Sequence, residues 1–333
     1  MRHYAVSNEN TAPVELPYAK RVAVLIPCYN EEASIGSVIE GFAKALPSAA
    51  IYVYDNNSVD ATVAIARAKG ATVGSEQRQG KGNVVRRMFA DLEADIYVLV
   101  DGDATYDATA ASRLIEKLES ENLDMVTGVR VSSDPNAYRP GHMFGNWLLT
   151  RLVATIFGKQ TQDMLSGYRV FSRRFVKSFP ALSRGFEIET EFTVHALELR
   201  LPIADVETIY GARPEGSSSK LSTFRDGARI LRLICSLIKE ERPLQLFGLI
   251  AAVFAALCLI LGYPVVAEFM ETGMVPRFPT AILASAFGIL SLTSFFSGLI
   301  LDSVCLGRRE AKRLCYLAQS SSSAWPAYPA AWP

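Results

Sequence analysis

Through the first part of the chain, short apolar runs alternate with stretches whose apolar residues recur at helical spacing. Residues 22–26, 51–54, 71–73, 96–100 and 125–127 are rich in Val, Ile and Tyr, residues that suit a pleated, buried surface. Between them, residues 34–46, 60–69, 81–92 and 108–119 repeat apolar positions on one helical face. Such alternation predicts an α/β domain with a mostly parallel, Rossmann-like sheet covered on both faces. Ligands of these sheets bind beyond the carboxyl ends of the strands, so the polar residues that follow each run are the ones to read for chemistry.

The pattern changes near Pro243. Residues 244–267 and 278–301 are almost uniformly apolar, and each run is 24 residues long. A bilayer core takes about 20 helical residues, so two spans are expected, with a buried core helix as the alternative for either one. Arg225, Arg229, Arg232, Lys239 and Arg242 precede the first run, and Arg308, Arg309, Lys312 and Arg313 follow the second. The segment between them carries only Arg277 against Glu268 and Glu271. Positive flanks stay on the cytoplasmic side, which puts the α/β domain and both termini in the cytoplasm and residues 268–277 outside. Residues 223–242 mix Ile230, Leu231, Leu233, Ile234, Leu237 and Ile238 with basic residues, the pattern of an amphipathic helix lying in the membrane interface. Core packing is the alternative for that segment. The expected organisation is a flexible tail over 1–20, an α/β domain over 21–222, the juxtamembrane helix over 223–242, a two-helix anchor over 243–303 and a partly disordered cytoplasmic tail over 304–333.

Composition narrows the chemistry. Thirty-four basic residues balance thirty-four acidic ones, so no overall charge points to nucleic acid. Three histidines without ligand spacing argue against a zinc enzyme. Cys28, Cys235, Cys258, Cys305 and Cys315 form no CxxC pair, and they suit a reducing compartment and ordinary packing. No GxGxxG follows the first strand, which disfavours a nicotinamide or flavin enzyme, and the segment around Lys81 lacks the spacing of a Walker loop.

Four polar clusters stand at four consecutive strand ends: IPCYNEE (26–32), DNNSVDAT (55–62), RQGKG (78–82) and DGD (101–103). Singly each is weak; Asp60, for instance, could simply cap its helix. Asp101 and Asp103 share a turn after an apolar strand, and two anions brought together call for a cation between them. Hard oxygen donors suit Mg²⁺ or Mn²⁺, which use one or two carboxylates plus substrate phosphates. An acidic surface turn is the plain alternative.

In this order, together with the later GYR (167–169) and RPEGSSSKL (213–221), these clusters resemble the family-two glycosyltransferases of the GT-A fold. Within them the chain is most similar to the dolichyl-phosphate-mannose synthase-like polyprenyl-phosphate sugar transferases. The similarity runs from about residue 21 to residue 220, and the C-terminal helix pair fits the membrane-anchored branch. The resemblance implies an inverting transfer of one sugar from a UDP- or GDP-linked donor to undecaprenyl or dolichyl phosphate at the cytoplasmic membrane face, with Mg²⁺ or Mn²⁺ as cofactor. It implies that Pro27, Tyr29 and Glu31 line the nucleotide pocket, that Asp55 reads base or ribose, and that Lys81 belongs to the nucleotide-sugar site. Asp101 then lies near ribose and diphosphate, and the metal falls to Asp103 with Asp101. A homo-oligomer is compatible with the two-span relatives. Two departures stand out. Relatives often carry Asp-Asp-Gly-Ser where this chain has Asp55, Asn56, Asn57 and Ser58, leaving the carboxylate burden on Asp55 and giving Asn57 the left-handed turn that Gly would take. Thr105 stands where some relatives place a Gln beside the metal; its hydroxyl is a weaker ligand, so it is left out of the expected metal set.

A phosphate oxygen attacking a sugar carbon is already ionised, so the reaction needs cations more than a base. Arginine matches phosphate with a bidentate fork. Arg130, Arg139, Arg213 and Lys220 are the acceptor-phosphate candidates; each taken singly reads more readily as a solvated surface charge, and the motif context lifts Arg130, Arg213 and Lys220 above that, Arg139 less so. Asp163 is a candidate acceptor for a sugar hydroxyl. Of the alternating Glu187, Glu189 and Glu191, Glu187 is the one chosen for the site, with a solvated edge as the alternative. His142 and His195 read as structural, and Trp147 belongs to an apolar helical face. Two rival readings remain. One is a processive polysaccharide synthase on the same fold, whose Gln-x-x-Arg-Trp segment and extra spans are not seen here. The other is a catalytically silent nucleotide-binding membrane protein.

Overall fold

The computed structural model describes residues 20–131, 151, 162–183, 185, 187–211 and 242–319. Strands β1 (Val22–Cys28), β2 (Ala50–Asp55), β3 (Thr72–Ser75) and β4 (Ile96–Leu99) alternate with helices α1 (Ile35–Ala45), α2 (Thr62–Ala68) and α3 (Lys81–Asp91). Then come α4 (Ala110–Ser120), β5 (Met125–Val131), β6 (Arg169–Ser172), α5 (Arg173–Ser178), α6 (Ile188–Leu199) and β7 (Ile203–Ile209). They build one seven-stranded sheet in the order β3-β2-β1-β4-β6-β5-β7. β1 pairs in parallel with β2 and β4, and β2 with β3. β6 runs antiparallel between β4 and β5, while β7 returns parallel to β5. The parallel half matches the periodicity. β6 and β7 escape it: β6 is only four residues, RVFS, and β7 carries Asp205 and Glu207 among its apolar positions.

The period of two along β1 divides its side chains between two cores. Leu25 joins Phe89, Tyr97, Phe171, Phe175 and Phe192 beneath α3, α5 and α6. Val24 and Ile26 join Ile39, Phe42, Val98 and Leu114 beneath α1 and α4. Both faces are therefore covered, and the polar chemistry is pushed to the strand ends.

Helices α7 (Pro243–Thr272) and α8 (Phe278–Leu317) are long and apolar enough to cross a membrane. They pack on each other, with Ser291 Oγ donating to the Ala251 carbonyl at 2.8 Å. A Cβ on Gly298 would approach Phe247 to 3.0 Å, so a small residue is used where the helices meet closely. The turn between them ends α7 on Gly273 in the left-handed region.

The helix itself runs beyond the anchor boundary expected at 303. α8 continues without a break to Leu317, so residues 304–317 of the expected tail are helical. The reason is docking. Lys312 Nζ reaches Glu198 Oε2 at 2.5 Å, and Tyr316 donates its hydroxyl to Asp124 Oδ2 at 2.8 Å. Tyr316 also packs against the aromatic core. The expected tails over 1–19 and 320–333 and nearly all of the juxtamembrane segment lie outside the described residues.

Candidate active site

The carboxyl ends of β1 to β4 converge on one edge of the sheet. Behind β1, the Glu31 N–H donates to Thr62 Oγ1 at 2.8 Å, and Ser34 Oγ bridges toward the Gly102 carbonyl at 2.7 Å. This ties the first and fourth strand ends together. Cys28 lies directly under Gly102, where an added Cβ would come within 2.7 Å of its sulfur, so Cys28 is a packing residue. Asp60 accepts from the Thr62 N–H at 3.0 Å one residue ahead of the N-cap, which is Ala61, so it supports the turn into α2 and is not the cap its sequence suggested.

Asp55 ends β2 and accepts the Ser58 N–H through both oxygens, at 3.3 and 3.1 Å. Asn57 takes φ of 67°, the left-handed turn expected of it. Asn56 does more than leave a gap in the acidic pattern. Its amide donates to the Glu76 and Arg78 carbonyls at 2.8 and 2.9 Å and accepts the Gly80 N–H at 2.7 Å. The side chain thereby substitutes for a strand partner and fixes the loop leading to Lys81. A neutral amide, which both donates and accepts, does this where a carboxylate could not donate.

Lys81 opens α3, and its side chain is only 7% exposed. It is held between Asp101 Oδ1 and Glu189 Oε1, the latter at 2.6 Å. Burial opposes the lysine's charge, but Asp101 and Glu189 outweigh it and hold the ammonium well above its ordinary value. For Glu189 burial wins and pushes its carboxyl up. Asp101 has its other oxygen against Gly167, where a Cβ would come within 2.3 Å of Oδ2. The glycine of the GYR segment is thus required by close approach to Asp101. Asp103 is buried and oriented by Thr105, whose hydroxyl and N–H reach Oδ1 at 2.6 and 3.2 Å.

Arg130, at the end of β5, and Asp163 form one unit. Arg130 Nε and Nη2 donate to the two Asp163 oxygens at 2.7 and 2.8 Å. Burial pushes the Asp163 carboxyl up, but the guanidinium outweighs it and holds the group below its ordinary value. Arg130 also lies over the Tyr210 ring, 5.5 Å from its centroid, and Tyr106 stacks edge-on between Tyr210 and Tyr168. The Tyr106 hydroxyl accepts the Gly167 N–H at 2.9 Å. Arg169, fully buried, pins the same loop by donating to the Ser166 and Met164 carbonyls at 3.0 and 2.8 Å and to Thr193 Oγ1 at 2.9 Å. Burial pushes its guanidinium down to about 10.

The structure therefore brings Glu31, Asp55, Lys81, Asp101, Asp103, Arg130 and Asp163 to one end of the sheet, with Pro27 and Tyr29 on and just after β1. Glu187 sits at the start of α6, half-buried beside Gly185, whereas Glu189 is the glutamate joined to Asp101 through Lys81. Glu191 accepts the Leu182 and Ser183 N–H groups, both at 2.8 Å, and belongs to the scaffold. Arg139, Arg213 and Lys220 lie outside the described residues, as do His142 and Trp147. Sequence reasoning missed Asn56, Tyr106, Glu189 and Tyr210. The acidic alternation at 187–191 held the signal for Glu189, but a helix beginning at Ile188 keeps Glu187 and Glu191, four apart, on one side and turns Glu189 to another.

Among the described residues, no group of three His, Cys, Asp or Glu side chains forms a cage for a metal. The two aspartates and the Thr105 hydroxyl offer hard oxygen donors only. That set fits an Mg²⁺- or Mn²⁺-type ion that takes one or two carboxylates and completes its shell from phosphate and water. It does not fit a closed structural site.

Comparison with known proteins bears directly on this geometry. Residues 23–179 match the model of Glycosyl transferase family 2. The chain is 32% identical over 311 residues to glycosyltransferase AglJ of Haloferax volcanii, covering 90% of this chain and 99% of that one. It is 27% identical to the dolichyl-phosphate hexose transferase of the same organism, over 66% of this chain and 95% of that one. Among solved structures, glucosyl-3-phosphoglycerate synthase of Mycobacterium tuberculosis, in complex with Mn²⁺, UDP and glucosyl-3-phosphoglycerate, aligns with a TM-score of 0.55 and 26% identity. That alignment covers 66% of this chain and 79% of the synthase.

Proposed function

The chain belongs to glycosyl transferase family 2, and from that premise we propose that it transfers one sugar from a UDP- or GDP-linked donor to a polyprenyl phosphate at the cytoplasmic face of a membrane. The observation that carries this reading is an acidic pair, Asp101 and Asp103, whose first member is held by a buried lysine at a strand-end edge, in a chain that also carries two span-length apolar helices. The dolichyl-phosphate hexose transferase among the relatives supports the lipid acceptor, and the UDP and Mn²⁺ of the synthase structure support the donor and cation.

On this reading Pro27, Tyr29, Glu31 and Asp55 receive the nucleoside, and Lys81 and Asp101 meet the diphosphate. Asp103, oriented by Thr105, and Asp101 would hold the divalent ion. When bound, that ion would neutralise charge on the leaving diphosphate. The acceptor phosphate is ionised near neutral pH, so its oxygen attacks the anomeric carbon without giving up a proton to the protein. The bond from that carbon to the nucleotide diphosphate breaks from the opposite side, which inverts the centre. Arg130 is kept in one orientation by its fork with Asp163 and by the Tyr210 ring, so it can meet an anion without first ordering its own side chain. Arg139, Arg213 and Lys220 remain the other acceptor-phosphate candidates.

The test uses the purified full chain, UDP- and GDP-sugars, a short polyprenyl phosphate and Mg²⁺ or Mn²⁺, with the lipid product read by mass. One sugar added per lipid is the expected result. Long products would favour the processive synthase, and binding of nucleotide without any product across the donor panel would favour the silent binder.

A further inference from the structure

Lys81 is an ammonium with three N–H donors, and its two hydrogen-bond acceptors among the described residues are both carboxylates. Asp101 has its second oxygen against Gly167, at the open edge of the sheet, and its side chain is 29% exposed. Glu189 is different. It is carried on α6, its side chain is 6% exposed, and its Oε2 is buried without a hydrogen-bond partner among the described residues. A buried carboxylate oxygen left unpaired is costly, so such an arrangement persists where it serves something beyond packing.

The two acceptors of Lys81 thus have unequal freedom. On the reading above, Asp101 must turn toward a divalent ion when donor binds, and Lys81 would then lose one of its two counter-charges inside the protein. A buried cation with no counter-charge would either follow Asp101, competing with the ion, or withdraw from the edge. We infer that Glu189 is the positioning residue that prevents both: it holds Lys81 at the diphosphate position while Asp101 is released to the metal. The net charge of the three side chains is one negative, which suits an edge that takes up a divalent cation together with the diphosphate. The inference rests on the proposed donor site and names a residue outside the nucleotide set.

The experiment measures UDP and GDP binding to the full chain by calorimetry across an Mn²⁺ titration, with uridine and guanosine as controls. In Glu189→Gln, Lys81 keeps Asp101 as its one charged partner among the described residues, and the Mn²⁺ concentration needed for half-maximal diphosphate binding should rise at least tenfold. Nucleoside binding should stay unchanged, which a general loss of folding would not permit. In a Lys81→Met background, adding Glu189→Gln should have little further effect, because the residue acts through the lysine. The wild-type protein supplies a second measurement that needs no variant. Lys81 should stay unreactive toward an amine-labelling reagent with and without UDP and Mn²⁺. An unchanged Mn²⁺ requirement in Glu189→Gln, independent addition of the two substitutions, or labelling of Lys81 on donor binding would each overturn the inference. Absence of metal-dependent UDP or GDP binding by the wild type would instead overturn the donor reading on which it stands.

Discussion

Removing a single oxygen from the far end of α8 tests how the apolar helices are coupled to the catalytic domain. The Tyr316 hydroxyl donates to Asp124 Oδ2 at 2.8 Å, and Arg174 lies over the tyrosine ring, 5.5 Å from its centroid. Asp124 is buried, and its other oxygen accepts Ser172 Oγ at 2.6 Å. Its backbone joins β5 to its surroundings as well, through the Pro202 carbonyl at 2.8 Å and the Ser172 N–H at 3.0 Å. Tyr316→Phe keeps the ring and deletes the hydroxyl's bond to Asp124 together with the longer one it accepts from Arg174 Nη1 at 3.4 Å. A hydrogen bond to a charged group contributes about 1.5–3 kcal/mol. The lower end applies, because Ser172 still serves Asp124 and the half-exposed tyrosine lets water replace part of the loss. About 1.5 kcal/mol corresponds to roughly tenfold more frequent local opening. Hydrogen exchange of residues 305–317 in the detergent-solubilised protein should therefore accelerate by about that factor, while exchange within 244–267 stays as it was. Lys312→Met should open the same segment further, since Glu198 is 4% exposed and would be left with Arg309 at 3.8 Å. Equal protection of 305–317 in wild type and both variants would refute the docking.

The remaining predictions concern the site and the core. Asp103→Asn should lower transfer on the order of 10²-fold, and excess chelator should abolish transfer until Mn²⁺ or Mg²⁺ is restored, as followed by product mass. Gly167→Ala forces a Cβ to within 2.3 Å of Asp101 Oδ2, so it should cost about 1–3 kcal/mol in a denaturant melt and depress transfer more than uridine binding. Burial pushes His195 from 6.5 down to about 3, so the folded chain stays unprotonated where the unfolded chain takes up a proton. Stability is then complete above about pH 6.5 and falls below it by up to ~1.4 kcal/mol per pH unit, a slope that His195→Leu should flatten in denaturant midpoints measured from pH 7 to 4.

The legible part of this protein is the part with local periodicity. Apolar runs and helical spacing announce β1 to β5 and α1 to α4, and the polar residues that follow them supply Asp55, Lys81, Asp101 and Asp103. What was hidden depends on contacts distant in sequence. β6 is a strand because Arg169 to Ser172 lie opposite Leu99 to Ile96, a pairing no local pattern encodes. Asn56 looked like the loss of a carboxylate and proves to be the clasp of the β3 loop. Glu187 drew attention by its place in an alternating acidic run, yet the glutamate that pairs with Lys81 beside Asp101 is Glu189, 108 positions away. Arg169 belongs to a recognisable GYR segment, but its work inside the fold, tying the Met164 to Ser166 turn to α6, shows only in three dimensions.

The sheet assigns its two ends to two tasks. Register puts Leu99 opposite Arg169 and Ile96 opposite Ser172, so Asp101 and Gly167 share the upper end while Asp124 and Ser172 share the lower. α6 begins with Glu189 in the site and ends near Glu198, and α8 meets Glu198 through Arg309 and Lys312 before reaching Asp124 through Tyr316. The docked part of α8, from Arg309 to Tyr316, therefore meets the molecule at the base of the sheet, at the end away from the site. There it clamps the carboxyl end of α6 and the residue before β5, and α6 is the helix that carries Glu189 to Lys81 at its other end. The helix that follows the second apolar run is thus tied to a helix that reaches both ends of the sheet, without placing any group of its own among the described residues of the site.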